Sequence, residues 1–288
     1  MTSAHSPLTP KLTVADVKVP RFLYGTAWKE DRTRDLVEQA VRAGFRGIDT
    51  ANQRKHYFEA AVGESLKSVF AVGSITRAQL FLQTKFTYQR GQDHRLPYDP
   101  AASPADQVRQ SFASSLEHLG VEFLDSYVLH GPSSGSGLSR ADVEVWKVFE
   151  ELAESGKARL IGVSNFNPPQ LEELCSTARI KPSFLQNRCY ARMGWDRTMR
   201  QICRKNNICY QGFSLLTANP EIMNHPRMAM LANSLGRAPA QIVFRFAMAL
   251  GMLPLTGTCD PQHMEQDLCS SSFDLDEATV QELECLSG

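Results

Sequence analysis

Short apolar runs alternate along the chain with longer stretches whose apolar residues recur every three or four positions. Runs of the first kind suit strands, and the second kind suits amphipathic helices. "RFLYGTAW" reads as a strand, and "RTRDLVEQAVRAG" follows it with helical spacing and a glycine stop. The same couplet recurs as "GIDT" with "EAAVGESLKSVF", and as "LFLQTK" with "PADQVRQSFASSLEHLG". Further along come "LDSYVLH" with "SRADVEVWKVFEELAESGK", "ARLIGVSNF" with "NPPQLEELCSTA", and "SFLQNR" with "DRTMRQICRKNN". "ICYQGFSLL" precedes the helices "HPRMAMLANSLG" and "APAQIVFRFAMALG". "MLPLTGT" is the last strand, followed by "PQHMEQDL" and a terminal helix from about Glu277 to Leu286.

About eight strand–helix units in one chain, with no linker-like break, predict an α/β fold of the (β/α)8 TIM-barrel type. Residues 1–288 are expected to form a single domain, with 1–19 as an N-terminal extension containing a hairpin ("LTVADVKV") and 269–288 as a C-terminal helix and short tail. The competing architecture, an open doubly wound sheet, normally carries G-x-G-x-x-G between a strand and a helix, and that fingerprint is absent. "GPSSGSG" has no phosphate-loop lysine and reads as a flexible loop.

Composition narrows the function classes. Lys+Arg and Asp+Glu stand at 31 each, a balance that disfavours nucleic acid or an acidic membrane surface as partner. Seven cysteines, all from Cys175 onward and without C-x-x-C, read as reduced thiols rather than a disulfide framework or zinc site. The start has no apolar core of signal-peptide length, and no run of about 20 apolar residues is present. A cytoplasmic protein, monomeric or weakly homo-oligomeric, is the expectation.

In a barrel of this type, chemistry gathers at the C-terminal ends of the strands. Those ends carry Trp28, Asp49, Lys85, His130, Ser164 and Asn165, Gln186 and Asn187, Phe213 and Ser214, and Thr256. Singly, Asp49 is an ordinary helix cap or loop acid, Lys85 a solvated charge and His130 a hydrogen-bonded structural histidine. Together, on three successive strand ends, they converge on one cleft. An ammonium held by a carboxylate favours the ionised form of a neighbouring phenol, lowering its pKa from about 10 and improving it as a general acid. A histidine can orient a carbonyl oxygen. The set suits carbonyl reduction with hydride from a bound nicotinamide. No metal site is expected: H-x-H and H-E-x-x-H are absent, and with them the signature of a metal-dependent barrel hydrolase.

The chain resembles the aldo-keto reductases from about Pro20 to about Leu268. The carriers are "YGTAW", "AGFRGIDTA", "LFLQTK", "LDSYVLHGP", "GKARLIGVSNF", "LQNRCY" and "GFSLL". The resemblance implies a (β/α)8 barrel that reduces aldehydes or ketones with NAD(P)H. It places the catalytic acid, lysine and histidine on Asp49, Lys85 and His130, and the nicotinamide-carboxamide contacts on Ser164, Asn165 and Gln186. Phe213 falls where an aromatic stacks on the nicotinamide ring, and Ser214 and Leu216 fall on contacts to the pyrophosphate region. A non-catalytic, cofactor-binding regulatory barrel of the same fold is the alternative.

The proton donor is the point of departure. At the family's usual distance from Asp49 stands Arg54, and counting back from Val62–Gly63 reaches His56. Arginine stays protonated far above neutral pH, and a cationic His56 is disfavoured beside Lys85. Tyr57, delivered by a bulged loop, is therefore the expected donor, with His56 as the alternative and a pocket residue. Trp28 and Tyr88 are expected to line the pocket, with residues 86–103 as a substitute lid. Gly131, where the family often has tryptophan, and a short C-terminus open its walls to bulky substrates. The stretch after the last strand has no Lys or Arg between Leu255 and Asp267. NADPH is expected from the resemblance, with NADH use alongside, and Thr256 and Gln262 as neutral contacts.

Overall fold

The computed structural model describes residues 11–73 and 75–286; the first ten residues of the expected N-terminal extension and the last two of the tail lie outside these. Strands β1 (Lys11–Val14) and β2 (Val17–Pro20) form an antiparallel hairpin. Eight parallel strands then close into a barrel: β3 (Leu23–Gly25), β4 (Gly47–Asp49), β5 (Phe81–Phe86), β6 (Leu124–Leu129), β7 (Ala158–Ser164), β8 (Phe184–Arg188), β9 (Cys209–Phe213) and β10 (Leu253–Thr256), with β10 pairing both β9 and β3. The helices are α1 (Thr33–Ala43), α2 (Glu59–Ala71), α3 (Pro104–Leu119), α4 (Arg140–Glu154), α5 (Pro168–Thr177), α6 (Arg197–Lys205), α7 (Pro220–Met223), α8 (Pro226–Leu235), α9 (Pro239–Ala249), α10 (Pro261–Leu268) and α11 (Glu277–Cys285). Only the four-residue α7 has no counterpart in the sequence pattern, being too short for a period to show.

Local chemistry explains the helix starts. Ser103, Ser139, Asn167, Asp260 and Asp276 each accept a backbone N–H of the first turn. Proline at the first turn of α3, α5, α8, α9 and α10 uses the position where a missing N–H costs nothing.

Strand side chains alternate, so every second residue enters the barrel. The lower interior is apolar: Leu23, Phe81, Leu160, Phe184, Leu253 and Leu255 pack with Val14 and Val19 of the hairpin, which closes that end. One step up the strands the interior turns polar, with Gln83, Gln186 and Gln211. Asp49 and Lys85 complete it, and the register that pairs Asp49 with Gln83 holds these groups level. The outward-facing residues join the large helix–strand core. No helix among the described residues is long and apolar enough to cross a membrane.

The seam between α2 and α3 bears on the site, because α2 begins just after the loop carrying Tyr57. A Cβ on Gly63 would lie 1.8 Å from the His118 carbonyl oxygen, so glycine permits the close approach. Beside it, buried Glu59 accepts from the Thr84 hydroxyl and pairs with His118 Nδ1 at 3.0 Å. The Glu59 hydrogen bond raises the His118 pKa against the effect of burial. Two outcomes are expected. Gly63→Ala destabilises the protein by about 1–3 kcal/mol or more through overpacking, read as a lower urea midpoint. Because His118 is raised in the folded state, its contribution is complete below the unfolded value of about 6.5 and is lost as pH rises through the folded value. Urea midpoints should therefore fall over that rise, and His118→Gln should flatten the fall; an identical slope in the variant would remove His118 as its source.

Candidate active site

The buried centre of the barrel mouth is an ion pair. Asp49 ends β4, and Lys85 lies two residues beyond its cross-strand partner on β5. Lys85 Nζ donates to Asp49 Oδ1 at 2.8 Å, to Oδ2 at 2.7 Å and to the Thr50 carbonyl at 2.8 Å. Asp49 Oδ1 also accepts from Gln83 Nε2 at 2.7 Å and Gln186 Nε2 at 3.1 Å. Gln211 Oε1 accepts from both of those amides, and Gln211 Nε2 returns a bond to Gln83. Burial draws the lysine below its ordinary value, against the pull of Asp49. Its three N–H bonds all meet oxygen, the geometry of a fixed ammonium.

Tyr57 reaches this pair from the loop after β4. The backbone N–H groups of His56 and Tyr57 both donate to the Gln53 carbonyl, at 3.1 and 2.9 Å, winding the extra residues into one tight turn. The Tyr57 ring then lies with its centroid 5.1 Å from Lys85 Nζ and edge-on to His130 at 5.8 Å. Burial, and then the Asp49 charge, push the phenol above its usual value. That reverses the expectation of a phenol acidified by Lys85. Burial is the main cause, and the Lys85 ammonium, its donors taken by Asp49 and Thr50, meets only the ring.

His130 follows β6, and its Nδ1 shares a 2.7 Å hydrogen bond with Thr87 Oγ1. Burial, then the charges of Lys85 and His56, hold it down at about 3, so it is neutral near pH 7. The half-buried His56 ring stacks against Trp28 at 4.0 Å, and burial lowers its pKa too. Trp28 is 67% exposed, so it forms the outer rim rather than barrel packing.

A cleft of about 650 Å³ opens beside these groups, lined in part by Gln53, His56, Tyr88, His130, Gly131 and Asn187. A Cβ at Gly131 would find its nearest neighbour 3.8 Å away, so this wall is open. Residues 86–103 are pinned: Tyr88 donates to Asp142, Tyr98 to the Thr87 carbonyl, Arg90 to the Pro132 carbonyl and Gln92 to the Asn52 carbonyl.

The residues expected to meet a cofactor divide. Ser164 donates to the Gln186 carbonyl at 2.6 Å, and Asn165, at φ 57°, donates to the His130 carbonyl at 2.7 Å. Both hold strand ends at the cleft. The Gln186 amide instead turns into the barrel toward Asp49 and Gln211. Phe213 is half-buried with the Arg188 guanidinium 5.6 Å from its ring centroid, and Ser214 follows at φ 56°. Leu216 packs against the core. Thr256 is spent on Asp267 (2.7 Å), whose carboxyl burial raises to about 6. Gln262 is exposed, its backbone N–H capped by Asp260.

The fold also supplies what the last strand lacks. Because β3 pairs β10, Lys29 Nζ reaches the Gly257 carbonyl at 2.7 Å and Cys259 Sγ at 3.7 Å, and Arg32 reaches Cys259 at 3.6 Å. The signal in the sequence was two cations just after the first barrel strand, in "WKEDR". Gln83 and Gln211 were missed as well; their signal was a glutamine inside each of two buried strand runs, "LFLQTK" and "ICYQGF". The donor set fits a nicotinamide dinucleotide: Asn187 lines the cleft with a buried Oδ1 that has no protein partner, as a carboxamide N–H would require, and Lys29 and Arg32 suit phosphate. Among the described residues no cluster of metal-ligating side chains occurs.

Comparison with known proteins identifies the family. The family model described as the Aldo/keto reductase family matches residues 23–219. A 9,11-endoperoxide prostaglandin H2 reductase of Trypanosoma cruzi is 27% identical over 94% of this chain and 89% of its own. A mycobacterial aldo-keto reductase is 29% identical over 88% and 84%. The crystal structure of a Bombyx mori aldo-keto reductase in complex with NADP superposes with a TM-score of 0.82 at 25% identity, covering 96% of this chain and 92% of that one. A barrel closed by eight parallel strands, an acid and a lysine paired at its mouth, and a match over well over half the chain lead to one conclusion: the chain belongs to the aldo/keto reductase family and is a nicotinamide-dependent carbonyl reductase.

Proposed function

We propose that this enzyme uses NADPH to reduce aldehydes or ketones to alcohols, with Tyr57 as proton donor and Lys85, Asp49 and His130 in support. The observation that carries the reading is the position of the Tyr57 ring, 5.1 Å from the Lys85 ammonium and edge-on to His130. A bound nicotinamide supplies hydride. The protein's part is to hold the carbonyl and deliver a proton. Burial keeps the Tyr57 phenol protonated, so the proton is in place at neutral pH. Lys85, fixed by Asp49, offers nearby positive charge as negative charge develops on the phenol oxygen. In the tautomer in which the Thr87 hydroxyl donates to Nδ1, His130 carries its proton on Nε2 and can orient the carbonyl oxygen.

A second reading, a cofactor-binding regulatory barrel, is favoured by one observation: Lys85 has no N–H left for the phenol oxygen. For the cofactor, the exposed Arg32 supplies a cation that the stretch after β10 lacks, with Lys29 buried beside it and drawn down by burial, while Asp260 caps the first turn of α10. This supports NADPH binding with a weakened preference over NADH.

Two experiments test the proposal. Tyr57→Phe should lower kcat for aldehyde reduction by about 10²–10⁴-fold while cofactor binding, followed by fluorescence quenching, stays near that of the parent. Activity kept in Tyr57→Phe but lost in His56→Ala would transfer the role to His56, and a parent enzyme inert toward an aldehyde panel would favour the regulatory reading. For the cofactor, kcat/KM should favour NADPH over NADH by less than about a thousandfold. Arg32→Met should cut that ratio by about tenfold or more, the size of a charge-assisted hydrogen bond; an unchanged ratio would place the phosphate elsewhere.

A further inference from the structure

The cleft beside His130 has an unbalanced charge. Its walls include two guanidinium groups, Arg90 and Arg188, and no aspartate or glutamate among the described residues. Neither arginine has a carboxylate partner there; Arg90 donates to the Pro132 carbonyl, and Arg188 lies over the Phe213 ring. Both are exposed to the cleft mouth. The two histidines in the lining do not alter the balance, since burial lowers the pKa of each. Asp142 stands behind the wall, buried, and accepts from the Tyr88 hydroxyl, the Ser133 and Ser139 backbone N–H groups and the Ser133 hydroxyl. The remaining lining is rich in amides, and Gln53 and Asn187, both at least nine-tenths buried, each leave a side-chain oxygen without a protein partner. The cleft thus sets cationic and amide groups beside apolar surface, which suits a carbonyl compound that also bears an anionic group.

The cofactor's own phosphates are the obvious competitor for these arginines, and the barrel order argues against them. Lys29, Arg32 and Cys259 gather where β3 meets β10. The cleft is lined by segments that follow β4 through β8, on the other arc of the barrel. The phosphate-suited cations and the cleft arginines thus occupy different arcs.

We propose that the cleft selects carbonyl compounds bearing an anionic oxygen group, a carboxylate or a phosphate, held by Arg90 and Arg188 while the carbonyl lies toward His130. Guanidinium binds both anions through paired N–H donors, so the shared chemistry is recognition of an oxyanion. The inference rests on the reductase reading of this site and names its substrate class.

The test compares matched substrates on the full-length protein: 4-carboxybenzaldehyde against methyl 4-formylbenzoate, and glyceraldehyde 3-phosphate against glyceraldehyde. Oxidation of NADPH is followed at low and high salt. The anionic member of at least one pair is expected to have a kcat/KM higher by about ten- to a hundredfold. Which pair shows the preference separates carboxylate from phosphate. The ratio should shrink with salt and fall toward one in Arg188→Met or Arg90→Met. Calorimetry with the product pair, 4-carboxybenzyl alcohol and methyl 4-(hydroxymethyl)benzoate, supplies a readout independent of turnover. Tighter binding of the acid, lost in the variants, supports the anion site even if no aldehyde is reduced. Turnover of the neutral aldehydes without any anionic preference would overturn this inference and leave the reductase reading intact. A preference that survives both substitutions, with weaker cofactor binding in the variants, would overturn it by assigning the arginines to the cofactor.

Discussion

The mouth of this barrel is organised around one buried ion pair. Taking Asp49 and Lys85 out of water costs several kcal/mol per ion unless geometry and further hydrogen bonds compensate. Here the compensation is extensive. Lys85 uses three donors on three oxygens, and Asp49 adds two glutamine amides. Gln211 satisfies the amides in turn. The interior therefore changes along the barrel from a leucine and phenylalanine plug to an amide layer and then to charge. Breaking the pair by removing one partner would leave an uncompensated charge, a loss of about 3–5 kcal/mol.

The same pair shapes its neighbours' proton affinities. Lys85 lies beneath the Tyr57 ring and helps keep His130 neutral. Asp49, together with burial, keeps the phenol protonated. A neutral histidine in the cleft wall and a protonated phenol edge-on to it provide hydrogen-bond donors that carry no charge of their own. Charge is concentrated instead in two separated places, Lys29 with Arg32 at the β3–β10 junction and the arginines of the cleft. Such separation would let a long anionic dinucleotide and a smaller ligand lie across the barrel mouth without competing for cations.

Much of this was legible in the chain. Alternating strand and helix patterns, read with prolines, serines and glycines at helix ends, located eight barrel strands and ten of the eleven helices, because each pattern is local and periodic. Asp49, Lys85 and His130 were legible as polar residues ending apolar strands. The amide layer was harder to see. Gln83, Gln186 and Gln211 lie far apart in sequence, and only barrel closure brings the first two to the Asp49 carboxylate and the third to their amides.

The sequence by itself determined the barrel and the strand ends on which its polar residues sit, since both follow from short-range periodicity and an apolar inward face. Tertiary structure decided the rest. The turn closed on the Gln53 carbonyl chose where Tyr57 stands, and the engagement of all three Lys85 donors by Asp49 and Thr50 left the phenol with a ring contact. The pairing of β3 with β10 brought Lys29 and Arg32 beside Gly257 and Cys259, some 230 residues away in the chain. Hydrogen-bond allocation and long-range charge placement depend on which groups meet in three dimensions, and a one-dimensional pattern of polarity carries no such distances.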